Sequence, residues 1–341
     1  MNLIKTTEAV GHVLCHDITQ IIPGVTKDAA FRKGHIVQKE DIPVLLSLGK
    51  DHLYIWEKEE DMLHENEAAE ILCQICKNKN MQASPVKEGK VELIADIDGL
   101  FKIDARRLNE INSLDEIIIA TRHNNFPVKK GDKLAGTRVI PLVIKKDKLE
   151  KAKEIAGSKP LLSLLPYSHK KVGIVTTGNE VYHGRIKDSF GPVIINKFAP
   201  YEAEILGQKF ADDNLKHITG AIESFLDMGA NFIVCTGGMS VDPDDLTPSA
   251  IRATGAEIIS YGAPVLPGAM FMLAYYRRNI PIVGLPGCVM YAKSTIFDLV
   301  LPRLMVGDKL TKKDLSRLGI GGLCLGCEIC NYPNCSFGKT T

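Results

Sequence analysis

The sequence predicts an α/β protein, a parallel-rich sheet with helices on both faces, preceded by smaller α+β and β-rich domains. Three observations carry this. Short, wholly apolar strands recur after Pro166, at VGIVTT (172–177), NFIVCT (231–236) and IPIVGL (280–285), and a strand with no polar side is one covered on both faces. Helical stretches separate them, as in a βαβ sheet. The 341 residues also exceed what one core usually organises, so several domains are expected.

Taken in order, residues 1–80 read as an α+β unit. IPVLLSLG (42–49) runs into HLYIWE (52–57), and EDMLHENEAAEILCQIC (60–76) spaces its apolar residues as a helix does. Residues 81–165 read as a β-rich domain with a charged linker helix at KKDKLEKAKEIAGS (145–158). Its segments KVELIADI, LFKID, DEIIIAT and TRVIPLVI are strand-like, and DG, HNN and KKGDK supply turns. The α/β domain covers 166–308. Within it PYEAEILGQKFADD (200–213) and ITGAIESFLDMGA (218–230) read as the helical stretches between the first two central strands, the second stopped by Gly229. Thr247-Pro248 opens a short helix, AEIISYG follows as a strand, and MFMLAYYRRNIPIVGL reads as a hairpin turning at RRN. A final helix is expected over about 289–305, then a linker and a Cys-rich segment at 309–341.

With 42 Lys and Arg against 41 Asp and Glu, the global field favours neither nucleic acid nor a membrane surface. No apolar run approaches the roughly 18 residues of a membrane span, and the N-terminus lacks a sustained apolar signal region. The expectation is a cytoplasmic protein with no nucleic-acid or membrane partner. Nine cysteines in that compartment read as thiols or metal ligands rather than disulfides.

Each central strand ends in a glycine turn: TTGNE (176–180), TGGMSVDPDD (236–245) and GLPGC (284–288). Parallel neighbours would deliver all three to one sheet edge, where open α/β folds bind ligands. Glycine lets the backbone approach a ligand, and successive N–H groups attract phosphate without net positive charge. Candidate binding residues are therefore Thr177, Gly178, Gly237, Gly238, Ser240, Pro286 and Gly287. Asp242, Asp244 and Asp245, joined by Glu180, offer hard oxygens for Mg²⁺, with Asp242 and Asp245 as its candidate ligands. The alternative is that these aspartates form Asx-turns and cap the helix near Thr247. Cys288, at the mouth of the crevice, is either a soft thiolate facing a metal or a small packed thiol.

These turns together resemble the molybdopterin-binding family of adenylyltransferases and molybdenumtransferases. TGGMSVDPDDLTPSAI is similar to the adenylyltransferase-type TGG…RDxTPEA loop, with Asp245 at its functional aspartate. RIKDSFGP (185–192) resembles an acidic segment before a Ser-Gly-Pro turn, which brings Asp188 and Ser189 to the site. The molybdenumtransferase type is matched by TTGNE, TGGMSVDPDD, LPGAM (266–270) and GLPGC, and by GDKLAGTRVIPL (131–142) in the β-rich domain. The resemblance covers about 170–306 and implies binding of molybdopterin or the molybdenum cofactor. It further implies molybdate insertion with Mg²⁺, Asp244, Asp245 and Glu180 as catalytic residues, a homodimer, and cofactor-accepting apoenzymes as partners. The chain departs at Leu266 and Ala269, which replace two lysines, at Pro243, which replaces an aspartate, and at Asn196, which stands for an acid. A non-catalytic cofactor carrier or sensor and an adenylyltransferase stay open beside the molybdenumtransferase reading.

GGLCLGCEICNYPNCSFGK (321–339) spaces Cys324, Cys327, Cys330 and Cys335 by two, two and four residues. Four thiolates this close, separated by Gly326 and Pro333, fit an iron–sulfur cluster or Zn²⁺. Cys73 and Cys76, by contrast, share a helix at ordinary packing distance.

Overall fold

The computed structural model describes residues 2–22, 26–55 and 61–339. Trp56 and Glu57 of HLYIWE and Glu60 of the next segment lie outside them. Two compact units emerge: Met1–Asp96, Ile103–Arg122 and Lys130–Ser163 form one, and Ile97–Lys102, His123–Lys129 and Leu164–Thr341 the other. No helix among the described residues is long and apolar enough to cross a membrane.

In the first unit, Leu14, Ile18, Val37, Leu45 and Leu53 close a small core. IPVLLSLG contributes to a helix, Asp41–Ser47, its apolar residues repeating with helical spacing. The helix Glu65–Cys76 starts in a capping box between His64 and Glu67. A four-stranded sheet follows in the order Met81–Ala83, Lys90–Ala95, Lys133–Val139, Ile117–Thr121.

The second unit is built on a six-stranded sheet: β1 (Lys170–Thr177), β2 (Ala203–Ala211), β3 (Phe232–Thr236), β4 (Glu257–Tyr261), β5 (Met272–Tyr276) and β6 (Ile280–Leu285). Their order is β2-β1-β3-β6-β5-β4. β2, β1, β3 and β6 run parallel, while β5 is antiparallel to β6 and β4 antiparallel to β5. Its helices are α1 (Asn179–Tyr182), α2 (Phe190–Phe198), α3 (Leu215–Asp227), α4 (Thr247–Ala253), α5 (Ile296–Met305) and α6 (Lys312–Arg317).

Side chains alternate across the sheet and build a core on each face. Ile174 and Val234 face α2 and α5 through Ile194, Phe198 and Phe297, whereas Val175, Ile233 and Cys235 meet Ile218, Ile222 and Phe225 of α3. Each such buried aliphatic or aromatic side chain contributes about 1.5–3 kcal/mol of transfer free energy. That two-sided burial is why the central strands carry no polar alternation.

Several elements differ from expectation, among them α2 and α6, for which no helix was expected. AEILGQKFA is the edge strand β2 rather than a helix, pairing Ile205 with Val172 and Phe210 with Thr176. Its half-buried setting lets polar residues remain on the strand, which disguised it as amphipathic helix. The helix expected over about 289–305 begins only at Ile296, because Thr295 and Asp298 form a capping box that fixes its N-terminus there. Residues 287–290 instead form one 3₁₀ turn.

Candidate functional site

The parallel register fixes where the three turns emerge. Thr176 of β1 is opposite Thr236 of β3, which is opposite Leu285 of β6. The segments at Gly178, Gly237 and Pro286 therefore leave the sheet at the same edge, one residue or two beyond aligned positions.

Buried hydroxyls tie these strand ends together. Thr236 Oγ1 lies 3.1 Å from Thr176 Oγ1, which accepts from Gln208 Nε2 at 2.8 Å. Gln208 Nε2 also reaches Asp188 Oδ2 at 2.8 Å. Thr177 and Thr247 hydroxyls stand 2.9 Å apart, and Thr247 Oγ1 donates to the Gly237 carbonyl at 2.9 Å. Such satisfied polar groups order a loop that would otherwise cost free energy to bury. Gly237 is required: its φ is +84°, and an added Cβ would stand 2.3 Å from the Thr177 carbonyl oxygen.

The remaining predicted residues fall as follows. Asp188 accepts from the Phe190 and Gly191 N–H groups at 2.9 and 3.1 Å, holding the start of α2, while Ser189 is exposed. Asp245 accepts from the Ser240 N–H at 2.8 Å, and its own N–H donates to the Asp242 carbonyl at 3.0 Å. The loop thus closes on itself through a side-chain bond that runs back from Asp245 to Ser240 and a backbone turn; neither is an Asx-turn, and the N-cap of α4, Leu246, makes no side-chain cap. Asp242, Asp244 and Glu180 are exposed. Gly178 has φ of +131° and begins α1, and Pro286 and Gly287 begin the 3₁₀ turn that carries the half-buried Cys288. Burial raises the Cys288 thiol above its ordinary pKa.

Sequence reasoning missed Gln208 and Asp213. Gln208 sat in a segment read as helix. Asp213 accepts from the Asn179 N–H at 3.0 Å, and its carboxyl is pushed up first by desolvation and then by the charges of Glu180, Asp244 and Asp245. These four carboxylates, from three loops, share one electrostatic field. Among the described residues, however, no three His, Cys, Asp or Glu side chains stand close enough to hold a single metal ion.

Residues 173–306 match the family described as "Probable molybdopterin binding domain". The match takes in most of the α/β segment and less than half of the whole chain. Residues 3–57 match a family described as a domain of unknown function. Curated proteins similar to this chain include a CinA-like protein of Mycobacterium avium, 31% identical over 90 residues, 26% of this chain and 21% of the relative. Molybdopterin molybdenumtransferase of Synechococcus elongatus is 24% identical over 159 residues, covering 44% of this chain and 38% of the relative. Gephyrin of Dictyostelium discoideum is 28% identical over 153 residues, 39% of this chain and 21% of the relative. The chain thus spans only 21% to 38% of the length of these relatives. A solved structure, the molybdopterin biosynthesis enzyme MoaB from Thermus thermophilus, aligns at 20% identity with a TM-score of 0.34, over 42% of this chain and 98% of that one.

The loop at 266–270 is held by backbone contacts from the C-terminal cysteine segment. Leu266 donates its N–H to Gly322 O and accepts from Cys324 N, both at 2.8 Å. Leu266 and Leu323 form a parallel bridge. The backbone here is engaged by the cysteine segment.

Proposed function

We propose that the protein acts in molybdenum-cofactor assembly by binding molybdopterin, or its adenylylated form, at the edge where β1, β3 and β6 end. The observation that supports this best is the in-register convergence of three glycine turns within residues of the molybdopterin-binding domain family. In this reading the backbone amides of Gly178, Gly237, Gly238 and Gly287 receive the pterin phosphate, and Thr177 and Ser240 border it. Asp242 and Asp245 would hold Mg²⁺, and Asp244 and Glu180 would add their negative charge to the same field. The carboxylate field felt by Asp213 suits a hard divalent cation, which prefers oxygen ligands and bridges to phosphate. When bound, Mg²⁺ supplies Lewis-acid assistance to molybdate insertion. The protein's own part is orientation: the threonine and Gln208 hydrogen bonds keep the three turns fixed relative to one another.

The same reading includes a homodimer, hand-over to cofactor-accepting apoenzymes, and metal ligation by Cys324, Cys327, Cys330 and Cys335, as iron–sulfur or zinc. Leu266 and Ala269, in place of two lysines, favour a second reading, a carrier that binds the cofactor without turnover. An adenylyltransferase is the third. Purified protein is incubated with adenylylated molybdopterin, Mg²⁺ and molybdate, and active cofactor is assayed by reconstitution of an apoenzyme. Conversion that Asp245→Asn stops supports insertion. Tight binding with no conversion selects the carrier, ATP-dependent AMP transfer to bare pterin selects the adenylyltransferase, and no binding in any form ends the molybdopterin reading.

A further inference from the structure

The four cysteines at the C-terminal end are brought around open space. Cys324, Cys327, Cys330 and Cys335 all line one cavity of about 280 Å³. Residues 323–339 contain no helix or strand, yet they are fastened to the second unit at several points. Phe337 is 3% exposed within the core of the α5 face, the Tyr332 hydroxyl donates to Asp298 O at 2.8 Å, and Gly338 N–H donates to Gly321 O at 2.9 Å. A loop this long with no secondary structure of its own is usually either functional or disordered, and these anchors argue against disorder.

Zinc and a cluster make opposite demands on that shape. A single Zn²⁺ draws four sulfurs to about 2.3 Å from one centre and leaves no room between them. Here no three thiols among the described residues are close enough to share one ion, although all four border the same volume. A polynuclear cluster carries its iron and sulfide between the thiolates, so its ligands must stand apart around a space. We propose that Cys324, Cys327, Cys330 and Cys335 ligate a four-iron, four-sulfide cluster seated in this cavity. Pro267 and Ser294 complete the wall, and Ser294 Oγ lies 3.4 Å from Cys330 Sγ. The cluster therefore braces both the 266–270 loop and the 291–294 segment that continues from the Pro286-Gly287 turn. This inference rests on the reading of the four cysteines as metal ligands and is independent of the pterin.

The test is iron and acid-labile sulfide analysis of the full chain, purified anaerobically and reconstituted with ferric iron, a thiol reductant and sulfide, which together supply the mixed ferric and ferrous iron of the cluster. The expected result is a brown protein with about four iron and four sulfide per chain. Cys327→Ser and Cys330→Ser lose most of both, while Cys73→Ser, on a helix of the other unit, keeps them. A colourless chain that retains one zinc through reconstitution overturns the cluster and leaves metal ligation standing; a chain that takes up no metal overturns both. Iron content unchanged in Cys327→Ser and Cys330→Ser also overturns the assignment. Should circular dichroism show those variants unfolded, the wild-type stoichiometry decides. Molybdopterin binding measured on the same preparations reports separately on the pterin reading.

Discussion

At Asp245 two roles meet in one side chain, and substitutions can separate them. Its carboxylate accepts the Ser240 N–H, which an asparagine oxygen can still do, whereas the negative charge that would attract Mg²⁺ is lost. Asp245→Asn is therefore expected to keep Tm nearly unchanged and to weaken Mg²⁺-dependent cofactor binding on the order of tenfold; Asp245→Ala should lose both. Gly237→Ala forces a side chain into a left-handed backbone position against the Thr177 carbonyl, which is expected to lower stability by about 1–3 kcal/mol in urea denaturation and to abolish cofactor binding. Asp213 gives a pH test. Desolvation and neighbouring carboxylates raise its folded pKa, so it favours the fold when protonated and loses that contribution as pH rises through the folded value. Asp213→Asn should accordingly raise Tm at neutral pH, and the gain should shrink as the pH falls through the Asp213 titration. None of these geometries was legible in the sequence beyond the residue types, because Asp242, Asp244 and Asp245 look alike until the turn decides which one folds back.

The elements were legible in proportion to how completely they are buried. The middles of β1, β3 and β6 are continuous apolar runs because both faces are covered, and that pattern needs no partner to be recognised. The edge strand β2 was mistaken because one-sided, partial burial lets Glu204, Gln208 and Lys209 interrupt it. Helix α2, at Phe190–Phe198, was likewise passed over, since its start is set by Asp188 accepting two backbone N–H groups, a local device visible only in three dimensions. The end of α5 carries a further tertiary device. Asp308 accepts from Lys102 and from Arg303, each at 2.8 Å. Burial works against its charge, but Lys102 and Arg303 outweigh it and hold the carboxyl below its usual range. Its contribution is present above the unfolded pKa and is lost as pH falls through the lower folded value. Asp308→Asn should cost about 2 kcal/mol at pH 7, with the difference from wild type closing in acid, as followed by urea denaturation at several pH values.

Over the whole molecule, thiol chemistry should divide as the fold divides the cysteines. Burial pushes Cys76 and Cys235 up to about 12, so both stay protonated at neutral pH, while Cys327 and Cys330 are exposed. Brief alkylation of the metal-free chain is expected to label Cys327 and Cys330 well before Cys76 and Cys235, as read by peptide mass spectrometry. By itself the sequence determined that an α/β sheet with glycine turns lies near the C-terminal half and that four cysteines share one short segment, because apolar runs and residue spacing are local properties of the chain. Tertiary structure alone decided that the three turns share an edge, that Gln208 and Asp213 join them, and that the cysteine segment docks on the 266–270 loop. Those relations depend on strand order and register between residues far apart in the chain, which no local pattern encodes.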